Sequence, residues 1–305
     1  MLTVLMATHN GARTLPAVLN AYCELESPSG GYRLVIVDNG STDSTKEIIA
    51  SFEARLPLTY LFEPTLGKSA ALNTGLSRVS GDLVVMTDDD ALPRPDWLVQ
   101  MRLVADSHPS FAIFGGAIVP HWEVEPESWI LPFWFVLTIT DPAWEEGPTV
   151  VARVSGPNMG IRSEIIKSGY RFDTSLGPAG LRYVMGEDID FVQRLGKEGF
   201  KAWHCKRAVV AHMIRKYQMN QRWMLRRATA FGRYTYLWES QEYSLIRPAL
   251  LLGVPRYMMR EILKQVIRLV RAKLSQDRDT VFKERWQLQF LIGRAMGGRI
   301  VFSER

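Results

Sequence analysis

The sequence predicts an α/β fold, an open parallel sheet covered by helices and followed by a helical extension. Over the first 120 residues, short aliphatic and β-branched runs alternate with helix-start signals. Each run is largely apolar throughout, as expected for strands with both faces covered. After His212 the pattern is helical almost to the end of the 305-residue chain, with breaks at Pro248, Pro255 and around Asp277–Asp279.

The first half of the chain supplies four buried strands and the helices between them. The expected strands are Leu2–Ala7, Leu34–Asp38, Leu58–Phe62 and Leu83–Thr87. Helices are expected after Thr14, after Ser41-Thr42, at Gly67-Lys68-Ser69 and at Asp96-Trp97-Leu98. In parallel sheets, ligands bind beyond the carboxyl ends of the strands. Three strand-end segments should therefore meet at one edge: Thr8-His9-Asn10, Asp38-Asn39-Gly40 and Asp88-Asp89-Asp90.

Composition excludes several classes of protein. With 47% hydrophobic and 23% charged residues, the chain has ordinary globular usage. Its two cysteines, Cys23 and Cys205, cannot form a disulfide framework, which favours a reducing compartment. The N-terminus lacks the features of a signal peptide. The longest apolar run, Trp129–Ile139, is far shorter than the roughly 20 residues that span a bilayer. We expect a cytoplasmic protein, soluble or peripheral at the inner face of the plasma membrane.

Charge is unevenly distributed. Residues 1–150 hold eight basic and 19 acidic residues, whereas residues 151–305 hold 29 and 13. Between Arg256 and Leu274, cations such as Arg260, Lys264 and Arg268 share an amphipathic helical pattern with Ile262, Val266 and Leu269. Two interpretations stay open: the helix lies on an anionic lipid surface, or its apolar face packs on the body. Nucleic-acid binding is not expected, because no motif for it is present.

The acidic triplet Asp88-Asp89-Asp90 follows an apolar strand, where three adjacent carboxylates repel one another. Mg²⁺ or Mn²⁺ is the simplest stabiliser, since hard oxygens suit these ions. The alternative is an acidic loop that caps the next helix, although Asp96 is available for that purpose. Asp38 closes another strand and can accept a hydrogen bond from a ligand, or it can form an Asx turn.

Lys68 opens a helix in Gly67-Lys68-Ser69. It can reach a phosphate at the helix start or be a solvated surface lysine. The segment lacks the pattern of a Walker loop, and no GxGxxG follows the first strand, so ATP hydrolysis and nicotinamide or flavin chemistry are disfavoured.

Five motifs together resemble the family 2 glycosyltransferases. They are ATHN, VDNGSTDST, GKSAALNTG, VVMTDDDALPRPDWL and GEDIDFVQRL, in that family's order and spacing over about residues 2–212. The resemblance implies the GT-A fold, a Rossmann-like open mixed sheet flanked by helices. We therefore expect a catalytic domain over 1–215 and a basic, mainly helical extension over 216–305.

The resemblance also implies site roles. The first Asp of the family's DxD motif, here Asp88, contacts the ribose, and the last, Asp90, binds the metal. Asp188 resembles the general base, and a single carboxylate base implies inversion at the anomeric carbon. His212 is a further candidate metal contact, or else a structural histidine at a strand end. The expected donor-binding residues are Thr8, Asn10, Asp38, Lys68, Asp88 and Asp89.

The expected activity is transfer of one sugar from a nucleotide-diphospho-sugar, a UDP-sugar, to a saccharide or lipid-linked acceptor in cell-surface polysaccharide synthesis. Processive relatives carry QxxRW; the segment Gln218–Trp223 has one residue too many, which favours single addition. Two alternatives remain, a sugar nucleotidyltransferase and a catalytically silent nucleotide-sugar-binding or membrane scaffold protein. The four carboxylates Asp38, Asp88, Asp90 and Asp188 argue against the silent protein.

Overall fold

The structure is a computed structural model that describes residues 1–179, 182–242, 250–251, 254–275 and 277–303. The chain forms two compact units, one of residues 1–121 and 138–213, the other of residues 122–137 and 214–305. Compactness does not establish which residues are needed for catalysis, so the division into 1–215 and 216–305 stays a prediction. The break expected at Pro248 lies outside the described residues.

The first unit contains a large sheet with helices between its strands. Its strands are β1 (Leu2–Thr8), β2 (Tyr32–Asp38), β3 (Leu58–Phe62), β4 (Leu83–Asp88), β5 (Ala91–Pro93), β6 (Ile113–Trp122), β7 (Gly147–Thr149), β8 (Met159–Arg162), β9 (Gly177–Ala179), β10 (Arg182–Val184) and β11 (Ala202–Ile214). Its helices are α1 (Leu15–Cys23), α2 (Thr45–Ala50), α3 (Lys68–Leu76), α4 (Trp97–Ser107), α5 (Ser163–Lys167) and α6 (Glu187–Lys197). Short 3₁₀ turns span Val151–Arg153 and Gly156–Asn158.

The main sheet is mixed rather than purely parallel. Its order is β3-β2-β1-β4-β8-β6-β11-β5, with β7 also paired to β11. The neighbouring strands among β1, β2, β3 and β4 are parallel to one another, whereas β8 is antiparallel to β4. The expectation of a parallel sheet therefore holds for the first four strands only. The mixed sheet flanked by helices is the one implied by the resemblance.

Two local expectations from the sequence are wrong. Strand β3 is the edge of the sheet and is half-buried rather than buried, because it has a neighbour on one side only. Helix α2 begins at Thr45, later than Ser41-Thr42 suggested, because the Asp43 carboxylate accepts from the Thr45 N–H at 3.1 Å and holds the preceding turn. Asp96 precedes α4 but makes no capping hydrogen bond with its side chain.

The core of this unit lies on both faces of the sheet. Leu2, Val4 and Met6 of β1 belong to one buried cluster, and Leu5 belongs to the other. Helices α1 and α4 cover the first face, while α3 and α6 cover the second. Burial of both faces explains why β1, β2 and β4 are almost continuously apolar.

The second unit is mainly helical. It contains a 3₁₀ segment (Ser128–Leu137), α7 (Gln221–Glu242), the short strands β12 (Leu250–Leu251) and β13 (Val254–Pro255), α8 (Arg256–Ser275) and α9 (Arg278–Ser303). Helices α7 and α9 approach closely at Gly232 and Gly293, where any Cβ would overlap the backbone of the facing helix. No helix among the described residues is both long and apolar enough to span a membrane.

Helix α8 uses only a narrow face for packing. Met258, Gln265 and Ala272, spaced seven apart, are buried. Ile262 is half-buried against a cluster of Tyr236, Val254, Met258 and Ala295. This face of α8 therefore packs within the second unit, while other apolar residues of the helix remain exposed. Packing of the helix on the catalytic domain stays a prediction.

Candidate functional site

The strand-end segments predicted to meet do lie together. In the sheet register Thr8 pairs with Asp38, and Ala7 pairs with Asp88. This puts the carboxyl ends of β1, β2 and β4 side by side at one edge. The prediction of a common edge is confirmed, because it needs only the order of the parallel strands.

Asp38 is buried and already oriented by two donors. Its Oδ1 accepts from the Ser41 N–H at 2.9 Å, and its Oδ2 accepts from the Tyr60 hydroxyl at 3.0 Å. Burial and the nearby Asp38 raise the pKa of Tyr60 to about 12, which keeps the phenol protonated as a donor. Each carboxylate oxygen has a further lone pair, so Asp38 can still accept from a ligand.

Asn10 links the loops after β1 and β2. Its backbone has a φ of +54°, in the left-handed region that asparagine tolerates. Its N–H donates to the Ser41 Oγ at 2.8 Å, and its Oδ1 accepts from the Thr42 N–H at 2.8 Å. Asn10 is exposed. It therefore braces the edge beside Asp38 while remaining accessible.

The acidic triplet is held from the β1 side. Thr8, buried at the end of β1, donates its hydroxyl hydrogen bond to Asp89 Oδ2. Burial raises the pKa of Asp89 to about 7, and the adjacent Asp90 charge adds to this. A Cβ at position 11 would lie 2.8 Å from Asp89 Oδ2, so Gly11 permits this close approach.

Lys68 lies within a cluster of carboxylates. Its Nζ is 2.6 Å from Asp88 Oδ1 and 3.8 Å from Glu187 Oε1. Burial alone lowers the pKa of an ammonium, but the charges of Asp88, Glu187 and Asp188 outweigh it and raise the pKa of Lys68. The side chain is 21% exposed. The interpretation of Lys68 as a solvated surface lysine is therefore wrong.

Asp188 and Glu187 open helix α6 beside that cluster. Asp188 Oδ2 accepts from the Gly156 N–H at 2.8 Å, and its Oδ1 accepts from the Ile189 N–H at 2.9 Å. Glu187 is buried, and burial followed by the Asp188 charge raises its pKa. Both carboxyl groups line a small cleft together with Lys68, Asp88, Gly156, Leu72, Met86, Thr87, Met159 and Phe172.

Asp90 and His212 are brought together by an antiparallel pair. Strands β5 and β11 pair Ala91 with His212, and the Met213 N–H donates to the Asp90 carbonyl at 2.9 Å. Asp90 Oδ1 lies 3.6 Å from His212 Nε2. Among the described residues, no three His, Cys, Asp or Glu side chains are grouped as a metal site. A carboxylate and an imidazole could nevertheless supply two ligands to a divalent cation at this position.

No role at the site was predicted for Tyr60, Glu187 or Asn39, although Asn39 and Glu187 lie in segments singled out from the sequence. The Asn39 amide donates to the Glu63 and Thr65 carbonyls, and its Oδ1 accepts from the Gly67 N–H at 2.7 Å. It thereby ties the end of β2 to the start of α3. The signal for Tyr60 was its place on β3, where the register pairs it with Ile36, two residues before Asp38. That signal is usable only once β3 is known to neighbour β2.

A sequence model described as "Glycosyl transferase family 2" matches residues 3–169 of this chain. Among curated relatives, a glucosyl-dolichyl phosphate glucuronosyltransferase from Haloferax volcanii is 24% identical over 198 residues. That alignment covers 64% of this chain and 63% of the relative, so the chain matches less than two thirds of that protein.

Solved structures share the fold at lower identity. The mannosyltransferase PcManGT from Pyrobaculum calidifontis, in complex with GDP-Man and Mn²⁺, has a TM-score of 0.62 at 19% identity and covers 99% of this chain and 87% of its own. S. aureus TarS 1-349 in complex with UDP-GlcNAc has a TM-score of 0.55 at 15% identity, covering 94% and 90%. These likenesses show that the fold is GT-A.

Proposed function

The chain belongs to glycosyl transferase family 2, and from that premise we propose that it is an enzyme that transfers a sugar from a nucleotide-diphospho-sugar to an acceptor hydroxyl. One observation carries the proposal. Thr8, Asp38 and Asp88 lie side by side at the strand edge, and Asp88 lines a cleft shared with Asp188. The proposed donor-binding residues and the proposed base therefore occur in one unit, which we propose is the core of a catalytic domain over residues 1–215.

The nucleotide is proposed to bind at the ends of β1 and β2. Asp38 would accept from a ring N–H of uracil, because its two oxygens retain lone pairs beyond those used by Ser41 and Tyr60. Thr8, Asn10, Asp88 and Asp89 complete the donor-binding set on the same edge. Lys68 offers a cation beside Asp88 for the donor phosphates. A UDP-sugar is the proposed donor, supported by the neighbour that holds UDP-GlcNAc.

Asp90 and His212 are the residues proposed to hold Mg²⁺ or Mn²⁺. Their donor atoms are close, and a structural neighbour was solved with Mn²⁺. When bound, the metal neutralises the charge that develops on the leaving diphosphate. The pairing of β5 with β11 holds the two side chains together without the ion.

Asp188 is proposed as the general base. Two backbone N–H donors, those of Gly156 and Ile189, fix the orientation of its carboxylate. It would take the proton from the acceptor hydroxyl as that oxygen attacks the anomeric carbon, while the nucleotide diphosphate leaves from the opposite side. This direct displacement inverts the configuration, and one sugar is added per reaction.

The acceptor is proposed to be a saccharide or lipid-linked molecule at an anionic membrane surface, in cell-surface polysaccharide synthesis at the cytoplasmic face. The H. volcanii relative is named for a dolichyl phosphate acceptor. Helix α8 exposes Met259, Leu263, Val266, Ile267, Val270 and Leu274. Exposed Arg260, Lys264, Arg268 and Arg271 lie on the same helix, a pattern suited to the interface of anionic lipids.

A screen of UDP- and GDP-sugars tests the proposal. The purified chain is incubated with each donor and Mn²⁺, and release of nucleoside diphosphate is measured with and without a panel of saccharide and lipid-phosphate acceptors. Release of UDP that needs metal and rises with one acceptor supports the transferase. Production of UDP-sugar from UTP and sugar phosphate would instead indicate a nucleotidyltransferase, and donor binding without turnover would indicate a silent protein.

A further inference from the structure

The second unit contains an open cleft between α7 and α9. Three hydrogen bonds join the two helices: Gln221–Arg285, Thr229–Gln289 and Glu239–Arg294, between residues 64, 60 and 55 positions apart. Because the residue numbers rise along both helices from one bond to the next, the two helices run in the same direction. Their backbones meet at Gly232 and Gly293. The cleft lies before this contact, towards the N-terminal ends of both helices.

Three arginines from two helices line this cleft. Arg222 and Arg226 are one turn apart on α7, and Arg285 faces them from α9. Like charges at this spacing destabilise a helix by about 0.2–0.5 kcal/mol per pair. All three side chains are exposed, and in the described part of the chain none of them forms an ion pair with a carboxylate.

The uncharged lining residues do not neutralise these arginines. They are Asn220, Gln221, Leu225, Thr229 and Gln289. Among the described residues, one guanidinium group of the cleft donates a hydrogen bond to this lining, from Arg285 Nη1 to Gln221 Oε1, and that bond is long at 3.5 Å. Further along the same helices, Arg294 forms two hydrogen bonds with Glu239 at 2.9 and 2.6 Å. The α7–α9 interface thus neutralises one arginine internally and leaves three together at the cleft.

The start of α7 adds to the positive potential. The helix begins at Gln221 and is 22 residues long, so its dipole favours an anion near its start. The Arg222 N–H already donates to Asn220 Oδ1 at 2.8 Å, so the arginine side chains rather than this N–H are the donors for a ligand. Guanidinium groups bind phosphate oxygens through paired N–H donors, and three of them can surround one phosphate.

We propose that this cleft binds the phosphate group of an organic phosphate, either free in solution or the headgroup of a lipid. The binding uses the guanidinium groups of Arg222, Arg226 and Arg285. The cleft residues belong to the second unit, whereas the proposed donor-binding residues belong to the first, and the proposal does not depend on the chain being a transferase.

Calorimetric titration of the full chain with inorganic pyrophosphate tests this site. All proteins carry Asp90→Asn and all titrations contain EDTA, so that metal-supported diphosphate binding at the proposed donor site is suppressed throughout. The R222Q/R226Q/R285Q variant is expected to bind pyrophosphate at least tenfold more weakly than its parent. The charge-matched control K216Q/R278Q/K283Q removes three exposed cations of the same unit that do not line the cleft, and its affinity should stay within twofold.

A variant that keeps the positive charges but replaces the guanidinium groups tests whether phosphate is bound by specific contacts or only by general electrostatic attraction. The R222K/R226K/R285K variant should also lose affinity, because lysine cannot form the paired contact. Melting temperature gives a second measurement: pyrophosphate should raise it in the parent but not in the glutamine variant. Equal affinity in the parent and the glutamine variant, or equal losses in that variant and the control, would overturn the proposal.

The source of the phosphate is distinguished with vesicles. Phosphatidylcholine vesicles with and without phosphatidic acid are sedimented with the parent and the glutamine variant. Pyrophosphate-sensitive sedimentation that needs the arginines assigns the site to a lipid headgroup. Pyrophosphate binding that needs the arginines, with equal sedimentation of both proteins, assigns it to a soluble phosphate.

Discussion

Replacing Asp188 with asparagine tests the proposed base and has two separable consequences. The carboxylate accepts from the Gly156 N–H with one oxygen and from the Ile189 N–H with the other. An asparagine retains one acceptor oxygen and presents an NH₂ group to the other donor. One backbone N–H is therefore left without its acceptor, which costs about 1–3 kcal/mol when the group is buried.

The expected fall in stability follows from that cost. For a unit the size of residues 1–121 and 138–213, each kcal/mol lowers the melting temperature by about 2–4 °C. The variant should therefore melt about 2–12 °C below wild type. Loss of a general base slows a reaction about 10²–10⁴-fold, equivalent to about 2.7–5.4 kcal/mol of transition-state free energy.

The assay compares UDP binding by calorimetry with the transfer rate, both well below the lower melting temperature. UDP affinity should be retained while transfer falls by the stated factor. Asp190→Asn is the matched control, because Asp190 lies on the same helix and binds Arg194 at 2.8 Å. Loss of this ion pair should lower the free energy of unfolding by at most about 1 kcal/mol and leave the transfer rate unchanged. Transfer within tenfold of wild type, or lost UDP binding in a folded variant, would refute the assignment.

Three further outcomes are expected. Asp90→Asn should abolish transfer, and EDTA should weaken UDP-sugar binding to wild type; binding unaffected by EDTA would contradict the metal role. Because burial and the Asp188 charge raise the pKa of Glu187, the folded chain holds that proton more tightly than the unfolded chain, so the free energy of unfolding should fall as the pH rises above the ordinary value of 4.5. Denaturation of Glu187→Gln at pH 5 and pH 8 should show a weaker fall, and an unchanged one would count against this. On α8, two sets of substitutions should reduce sedimentation with anionic vesicles without lowering the melting temperature: serine at Leu263, Ile267 and Leu274, or glutamine at Arg260, Lys264 and Arg268. Met258→Asp on the buried face should instead lower the melting temperature. Equal binding of the wild type to neutral and anionic vesicles would exclude the electrostatic contribution.

Much of the sheet edge at which the donor is proposed to bind could be predicted, because short stretches of sequence determine it. The apolar runs of β1, β2 and β4 identify buried strands, and the polar residues that follow them must then share an edge. The proximity of Asp90 to His212 depends instead on β5 pairing with β11. These strands are more than 100 residues apart and β5 has three residues, so no periodicity reveals their register. His212 was named only through the resemblance.

The environment of the candidate base was also out of reach of the sequence. Gly156 sits in a 3₁₀ turn inside a segment without periodicity, so its approach to Asp188 cannot be predicted from the sequence. A Cβ at this position would lie 3.3 Å from Asp188 Oδ2, a tight contact. Lys68 looked equally suited to solvent or to a phosphate, since both fit a helix start. Its burial follows from α6 supplying Glu187 on the other side, which is a tertiary contact.

Helix α8 shows why the amphipathic pattern left two interpretations open. A pattern of apolar and basic residues specifies that a helix has an apolar side, but not what covers it. In the structure the apolar residues divide. The buried positions Met258, Gln265 and Ala272 recur every seven residues and form one narrow face. At 3.6 residues per turn, Leu263, Ile267 and Leu274 lie on the opposite face of the helix, where they are 62%, 46% and 80% exposed. Packing within the unit therefore leaves a second apolar face exposed beside the cations, so packing and membrane binding are not competing uses of one face. This is why substitutions on the two faces are expected to separate stability from vesicle binding.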